Sequence, residues 1–192
     1  TPDFAVLNEP GFETPDMAYP LIVKPKNEAV SFGLKVVNDE GELRAAADVI
    51  FERYQQPVLA EQFVEGRELN VGLLGNDPPE TLPPVELSFG EGGPSVYTYE
   101  DKVGKSGREV VPVCPAPIPE ELTQEAQRVA RAAFQALGCL DCARVDLRVD
   151  DDGNVYVLEI NSLPSMGARG SYVAAAAAAG LDFPALCGRL VE

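Results

Sequence analysis

Residues 144–161, RVDLRVDDDGNVYVLEIN, constrain the fold more than any other stretch of the chain. Two alternating runs flank Asp152-Gly153, a dipeptide suited to a two-residue turn that needs positive φ. With those two residues as the loop, Asp151 faces Asn154, Asp146 faces Glu159 and Arg144 faces Asn161. Val145, Leu147 and Val149 then share one side with Tyr156, Leu158 and Ile160, a wholly apolar face expected on a core. Arg144, Asp146, Glu159 and Asn161 share the other. A slip of one residue would mix the two faces, so the alternation itself specifies the register.

Two carboxylates directly across a strand pair sit roughly 5 Å apart and repel each other. A cation between them removes the conflict. Asp, Glu and Asn are hard oxygen donors, a set that suits Mg²⁺ or Mn²⁺ bridging to phosphate. Arg144 beside them adds a donor for phosphate or carboxylate. The plain alternative is a solvated hairpin face. A calcium loop over Asp150, Asp152, Gly153 and Glu159 is the other alternative. It would place Arg148 at the first ligand position and lacks flanking helices, so it is set aside.

Composition narrows the function classes. The net charge of −16 disfavours nucleic acid as a partner, because phosphate backbones are met by a basic footprint. Any phosphate ligand must meet local Lys and Arg against the global field. Histidine is absent, which removes histidine triads, histidine general bases and histidine zinc sites. No apolar run reaches spanning length and no signal peptide is visible, so a cytoplasmic protein without a membrane partner is expected. Cys139 and Cys142 form a lone C-x-x-C with no second pair for zinc. Together with Cys114 and Cys187 they are read as reduced thiols without a catalytic role.

Along the chain, residues 1–19 read as an entry strand and loop. Strands are expected over YPLIVK and FGLKVV, with Lys24 at a strand end beside the loop KNEAVSFG. Residues 42–56 form a helix with a stripe of Leu43, Ala46, Ala47, Ile50, Phe51 and Tyr54. VLAEQFV and RELNVGLLG are strands joined by a turn at Glu65-Gly66, with Glu61 and Glu68 on either side. VELSF is a short strand, VYTYEDK ends at Lys102, and residues 104–109 form a mobile loop. The strongest helix covers residues 118–137, opened by Pro119 and closed by Gly138, with Leu122, Ala126, Val129, Ala130, Ala133, Phe134 and Leu137 inward. After the hairpin come a loop, a helix over 174–179 and a last helix over 184–190.

The order of these segments resembles one family. It runs from the strand ending Lys24-Pro25 through VLAEQFVEGRE, YEDK and LGCLDCARVD to LEINSLPSM. This resembles the C-terminal ATP-grasp region of a D-alanine–D-alanine ligase, over nearly the whole chain. The resemblance implies an α+β fold, with two α/β subdomains of mainly antiparallel sheet clamping ATP. The smaller would hold residues 1–66 and the larger residues 67–192 with the metal site. It implies Mg²⁺ or Mn²⁺ on Asp146, Glu159 and Asn161, and phosphate contacts from Lys24 and Lys102. Glu61 and Glu68 would meet adenine and ribose, Gln62, Phe63 and Val64 would run along the adenine edge, and Leu158 would form its apolar wall. Arg144 would steady an oxyanion, so Arg144 and Lys102 are the catalytic pair. The implied reaction joins a small carboxylate and an amine, both amino acids, through an acyl phosphate. A nucleotide-binding module without ligase chemistry is the competing reading, and Arg144 disfavours it because a pure binder has no use for an oxyanion donor.

The resemblance departs from the family at the amino-acid site. The family loop Glu-Gly-Ser-Ser-x-Gly reads Glu28-Ala29-Val30-Ser31-Phe32-Gly33 here, and Val103 replaces a Tyr after the second lysine. The family's Ser–Tyr hydrogen bond would thus be replaced by Val30 and Val103, beside Ser31. Ser165 replaces a Gly and Gly170 a substrate-contacting Ser. These changes imply a substrate pair other than two D-alanines. The family's N-terminal domain is missing from the chain, so an incomplete enzyme is expected, with a homodimer among the allowed assemblies.

Overall fold

A computed structural model describes residues 1–90, 95–102, 104–168 and 170–191. The chain divides into two compact units. One holds Pro2–Val64 and the described residues between 95 and 109; the other holds residues 65–90 and 110–191. The expected division at 66/67 had put 95–109 with the larger part. The chain instead returns this segment to the first unit, where Ser31 and Phe32 contact it.

The first unit is a four-stranded antiparallel sheet under one helix. Its strands are β1 (Phe4–Leu7), β2 (Leu21–Pro25), β3 (Lys35–Val37) and β4 (Val58–Gln62), in the order β1-β4-β2-β3. Helix α1 (Glu40–Tyr54) crosses between β3 and β4. Asp39 caps it by accepting from the Glu42 N–H at 2.8 Å, and Glu42 reaches back to the Asn38 N–H at 2.8 Å. Leu43, Ala46, Ala47 and Ile50 pack on Leu21, Val23, Val37, Val58 and Ala60.

The second unit is a six-stranded antiparallel sheet. It contains β5 (Arg67–Leu74), β6 (Glu80–Thr81) and β7 (Val85–Phe89). After α2 (Tyr99–Lys102), a single turn belonging to the first unit, it continues with β8 (Val110–Val113), α3 (Glu120–Ala136), β9 (Cys142–Val149) and β10 (Val155–Asn161). Helices α4 (Ser171–Ala178) and α5 (Phe183–Val191) complete it. The strand order is β10-β9-β5-β7-β8, with β6 on the free part of β5. One face carries Leu69, Val71, Leu73, Val145, Leu147 and Val149 against Ala126, Ala130 and Phe134 of α3. Leu137 follows the last helical residue and is 71% exposed, so it lies outside the expected stripe. The opposite face, around Leu74, Leu82 and Val85, is covered by Tyr172, Ala175 and Ala176 of α4 and Leu186 of α5.

The hairpin reaches its expected pairs by a different path. Asp146 faces Glu159 and Arg144 faces Asn161. Nearer the turn, however, Val149 faces Val155, Arg148 faces Tyr156 and Leu147 faces Val157. The loop is one residue longer than the Asp152-Gly153 count: the Asp150 N–H donates to the Asn154 carbonyl at 3.2 Å, and Gly153 takes φ 84°. A bulge between Val157 and Glu159 restores the register, since one extra residue cancels the other. The apolar face therefore receives Val155, Val157 and Ile160. Tyr156 instead lies opposite Arg148 with its hydroxyl on Asp150, and Leu158 is the extra, half-buried residue of the bulge.

Backbone approach decides one turn residue. Gly66 has φ 128°, and a Cβ there would lie 2.0 Å from the Val149 carbonyl oxygen. Gly153 is also left-handed, but nothing lies within 4 Å of its would-be Cβ. Gly66→Ala is expected to cost about 2–4 kcal/mol from strain and overlap together. Gly153→Ala should cost only about 1 kcal/mol. Urea midpoints of the two variants of the full-length protein check the contrast; equal shifts would mean the Val149 contact is relieved by backbone movement.

Candidate functional site

In the second unit, β5, β9 and β10 align their polar residues in rows. The register sets Glu68, Arg148 and Tyr156 in one row, Asn70, Asp146 and Glu159 in the next, and Gly72, Arg144 and Asn161 in the third. These residues alternate with the core-facing ones, so a single sheet face collects them. Gly72 leaves the third row thin at β5. A Cβ there would meet the Tyr172 ring at 3.0 Å and Leu82 at 2.9 Å, so helix α4 closes that end of the face.

The rows are electrostatically paired. Arg144 forks onto Asp146, Nε to Oδ1 at 2.6 Å and Nη2 to Oδ2 at 2.7 Å. Asn70 donates to Asp146 Oδ1 at 3.0 Å, with both residues buried. Burial pulls the Arg144 pKa down, but the bond to Asp146 and the charges of Asp146, Glu159 and Glu68 outweigh it, and the guanidinium ends above its usual value. Arg148 and Glu68 are both buried and meet at 3.4 Å. Burial dominates for Arg148 and leaves it below the ordinary arginine value despite Glu68. Glu159 is exposed, and Asn161 Oδ1 accepts from the Leu163 N–H at 3.0 Å.

Asp146, Glu159 and the Asn161 amide oxygen form a hard-donor set on one patch, chemically fitted to Mg²⁺ or Mn²⁺. It consists of two acids and an amide; among the described residues no three acids, cysteines or histidines gather into such a group. The Arg144 fork holds Asp146, so a metal ion there would have to share or displace that contact. A carboxylate offers about four acceptor positions, which permits sharing.

The first unit carries the other candidates. Lys24 Nζ meets Glu61 at 2.5 Å, so the expected phosphate lysine and adenine carboxylate are paired with each other. The Gln62 N–H donates to the Asp3 carbonyl and the Phe63 N–H to the Pro20 carbonyl, while Val64 ends the unit's first segment. Lys102 Nζ donates to Ser31 Oγ at 2.8 Å and lies 5.1 Å from the centre of the Tyr97 ring. Ser31 Oγ in turn donates to the Tyr97 carbonyl at 2.9 Å, and Phe32 stacks on Tyr99 at 4.2 Å. Val30 and Ser31 both take positive φ, 53° and 61°. For a β-branched Val this conformation is strained, by about 1–3 kcal/mol, and such strain gathers at ligand-contacting loops. The expected loss of the polar link between the two loops is thus offset by Ser31 and Lys102. Val103 lies outside the described residues.

In the second unit's terminal loop, Gly170 precedes α4, and its would-be Cβ meets the carbonyl oxygens of Ser165 and Gly167 at 3.0 Å. Ser165 Oγ accepts from the Gly167 N–H at 3.3 Å. The two departures at 165 and 170 therefore lie against each other, the Gly170 position on the Ser165 carbonyl. All four cysteines are free, and burial raises the thiol pKa of Cys114 and Cys142, the latter with help from Asp141. Both are thereby kept from the reactive thiolate form.

Asn70, Arg148, Asp101 and Arg108 escaped the sequence reading. The first two carry a legible signal, since they fall on the polar phase of their strands. Asp101 and Arg108 carry none. Arg108 forks onto Asp101 with two bonds of 2.6 Å, and Nη2 also donates to the Val96 carbonyl at 2.5 Å. The side chains are 5% and 0% exposed. This pair ties the 104–109 segment, expected to be mobile, to the turn that bears Lys102.

Comparison with known proteins fits this layout. The family described as D-ala D-ala ligase C-terminus matches residues 11–192. An uncharacterised protein of Sinorhizobium fredii is 38% identical over all of this chain and 57% of its own length. The D-alanine–D-alanine ligase of Pelotomaculum thermopropionicum is 36% identical over 92% of this chain and 54% of its own. The crystal structure of D-alanine–D-alanine ligase from Bacillus anthracis complexed with ATP superposes with a TM-score of 0.80 at 26% identity, covering 100% of this chain and 59% of that one. The chain thus spans a little over half the length of the relatives it matches. Two antiparallel α/β units of this kind, aligned with that structure, define the ATP-grasp fold. Within it, the chain belongs to the D-alanine–D-alanine ligase family, C-terminal region.

Breaking a buried ion pair by removing one partner costs about 3–5 kcal/mol. Arg108→Met is therefore expected to release the 95–109 segment, read as faster amide exchange there with strands β9 and β10 unchanged. The bond to Arg108, against opposing burial, holds the Asp101 carboxyl well below the usual carboxylate range. Its stabilisation is thus complete above about pH 4, the unfolded value, and falls away as pH drops through the depressed folded value. Unchanged exchange in the variant would show that the pair does not hold the segment.

Proposed function

We propose that the protein containing this chain is an ATP-dependent carboxylate–amine ligase that forms an amide or peptide bond through an acyl phosphate. The observation that carries this reading is the sheet face joining Arg144 to Asp146, Glu159 and Asn161, in a chain of the D-alanine–D-alanine ligase family. A carboxylate substrate attacks the γ-phosphate of ATP, ADP leaves, and an amine then displaces phosphate from the acyl phosphate. Lys24 and Lys102 offer positive charge to the phosphates, which is positioning and electrostatic work rather than covalent chemistry. Mg²⁺ held by Asp146, Glu159 and Asn161 would neutralise charge on the transferring phosphoryl group. Arg144 donates to the oxygen that becomes negative as the amine adds. Asn70 and the Arg144 fork fix the orientation of Asp146. Glu61 and Glu68 take adenine and ribose, residues 62–64 run along the base edge and Leu158 lies against its face. No side-chain nucleophile is needed, which agrees with a chain that lacks histidine.

The substrate pair is proposed to differ from two D-alanines. Val30 cannot hydrogen-bond through its side chain, and neither can Val103. Ser165 and Gly170 alter another part of the proposed amino-acid site. A site built on hydrogen bonds rejects mismatched polar groups strongly, whereas an apolar change of methyl size shifts selectivity by about 1–3 kcal/mol. An apolar exchange at both loops therefore favours a bulkier or less polar partner.

Phosphate release by the full-length protein with Mg·ATP, screened over amino-acid pairs, tests both parts. A ligase gives release that depends on a carboxylate and an amine together, with the best kcat/KM for a pair other than D-alanine with D-alanine. D-alanine with D-alanine as the best pair would remove the specificity claim and leave the ligase. Nucleotide binding without release for any pair would favour the binding-module reading. Glu159→Gln should lower Mg·ATP affinity at least tenfold by calorimetry, about 1.4 kcal/mol; unchanged affinity would place the metal elsewhere.

A further inference from the structure

Arg148 is the one charge in the three rows that the proposed chemistry leaves without a task. It is 3% exposed, lies directly across β5–β9 from Glu68, and donates to Glu68 Oε2 at 3.4 Å. Across β9–β10 it faces Tyr156, whose hydroxyl is bound to Asp150. Net stability is a weak reason for it. A buried ion pair is commonly matched or bettered by apolar residues of similar volume, because desolvation offsets the attraction. The neighbouring phase of both strands is already apolar, with Leu69 and Leu147 paired in the core. Glu68 lies one row from Asp146 and Asn70, so whatever fixes its carboxylate fixes an acceptor beside the proposed metal patch.

We propose that Arg148 is a positioning residue that aims the Glu68 carboxylate at the vicinal hydroxyls of the nucleotide ribose and so makes the site selective for ribonucleotides. This rests on the ribose role given to Glu68 above. A carboxylate accepting from two neighbouring hydroxyls needs a defined plane. The flexible stem of Glu68, whose terminal carboxylate torsion is broad, does not set that plane alone. The guanidinium, itself buried and directly across the strand pair from Glu68, sets it. A guanidinium presents a planar array of donors where a lysine presents a point charge, so the two are not equivalent here.

The test compares ATP with 2′,3′-dideoxyATP in the full-length protein, as Kd by calorimetry and as KM against kcat in phosphate release. The wild type should bind ATP at least tenfold more tightly than the dideoxy analogue. Arg148→Met should bring the two within about threefold by weakening ATP alone, with kcat at saturating ATP kept within a few fold. Arg148→Lys, which keeps the charge and loses the fork, should fall between them, and it serves the same purpose if the Met variant does not fold. A purely structural role would weaken both nucleotides together and leave their ratio unchanged, and that result overturns the proposal. The underlying assignment fails in a different way: a wild type that does not distinguish the two nucleotides, matched by Glu68→Ala, removes the ribose role of Glu68 and the proposal with it.

Discussion

The pairing of β5 with β9 is the constraint on which the second unit depends. Eight residue pairs run unbroken from Arg67–Val149 to Leu74–Cys142. Because side chains alternate, this one register builds both faces at once. It puts Leu69, Val71 and Leu73 with Leu147, Val145 and Ala143 under α3, and Glu68, Asn70 and Gly72 with Arg148, Asp146 and Arg144 on the other side. No polar residue of the site could move by one place without a core residue leaving the core. Position is therefore enforced by hydrophobic burial, which here contributes roughly 1.5–3 kcal/mol for each large side chain. The chemistry of the face is held by the oil behind it.

Such a face is costly unless its charges are answered. Buried ionised groups are tolerated when hydrogen-bonded and paired. Asp146 receives the Arg144 fork and the Asn70 amide, and Glu68 receives Arg148. The far end is sealed by Tyr172, whose hydroxyl reaches the Leu73 carbonyl at 2.9 Å through the space that Gly72 leaves. Burial pushes that phenol well above its ordinary pKa, so it remains a neutral donor.

Much of this was legible because period-2 alternation is a strong signal when one face is buried. The pairs Asp146–Glu159 and Arg144–Asn161 follow from it. The intervening geometry did not. Asp151-Asp152-Gly153 can close a two- or a three-residue loop, and the bulge that compensates at Leu158 leaves no mark in composition. Alternation alone therefore puts Tyr156 and Leu158 on the core face, which Val155 and Val157 occupy. Strand β8 was missed because it is an edge strand of four residues with Pro112 inside it, and Val111 and Val113 are largely exposed. Helix α1 begins and ends two residues before the 42–56 that its periodicity predicts, since Asp39 caps a turn that contains Gly41. The Arg108–Asp101 pair joins residues seven apart in an irregular segment, where no periodicity exists to reveal it.

Three of the four cations proposed to meet the ligand or to aim its partners are committed to acids within their own units, and this bears on how an anion would be received. Arg144 is on Asp146, Arg148 on Glu68 and Lys24 on Glu61, while Lys102 sits on the Ser31 hydroxyl and the Tyr97 ring. Acids outnumber Lys and Arg by 31 to 15, so acidic neighbours for a cation are plentiful. For an anionic ligand, attraction to Arg144 or Lys24 must therefore outweigh the contact each gives up. That exchange favours ligands that answer both members of a pair: an anionic group for the guanidinium or ammonium, and a donor for the carboxylate. A nucleotide triphosphate offers phosphate oxygens together with an adenine amino group and ribose hydroxyls. Simple anions offer only the first, and against a net charge of −16 they also lack the compensating contacts. Under the proposed assignment, the pairs Arg144–Asp146, Arg148–Glu68 and Lys24–Glu61 would favour ligands that carry donors and acceptors together over those that carry charge alone.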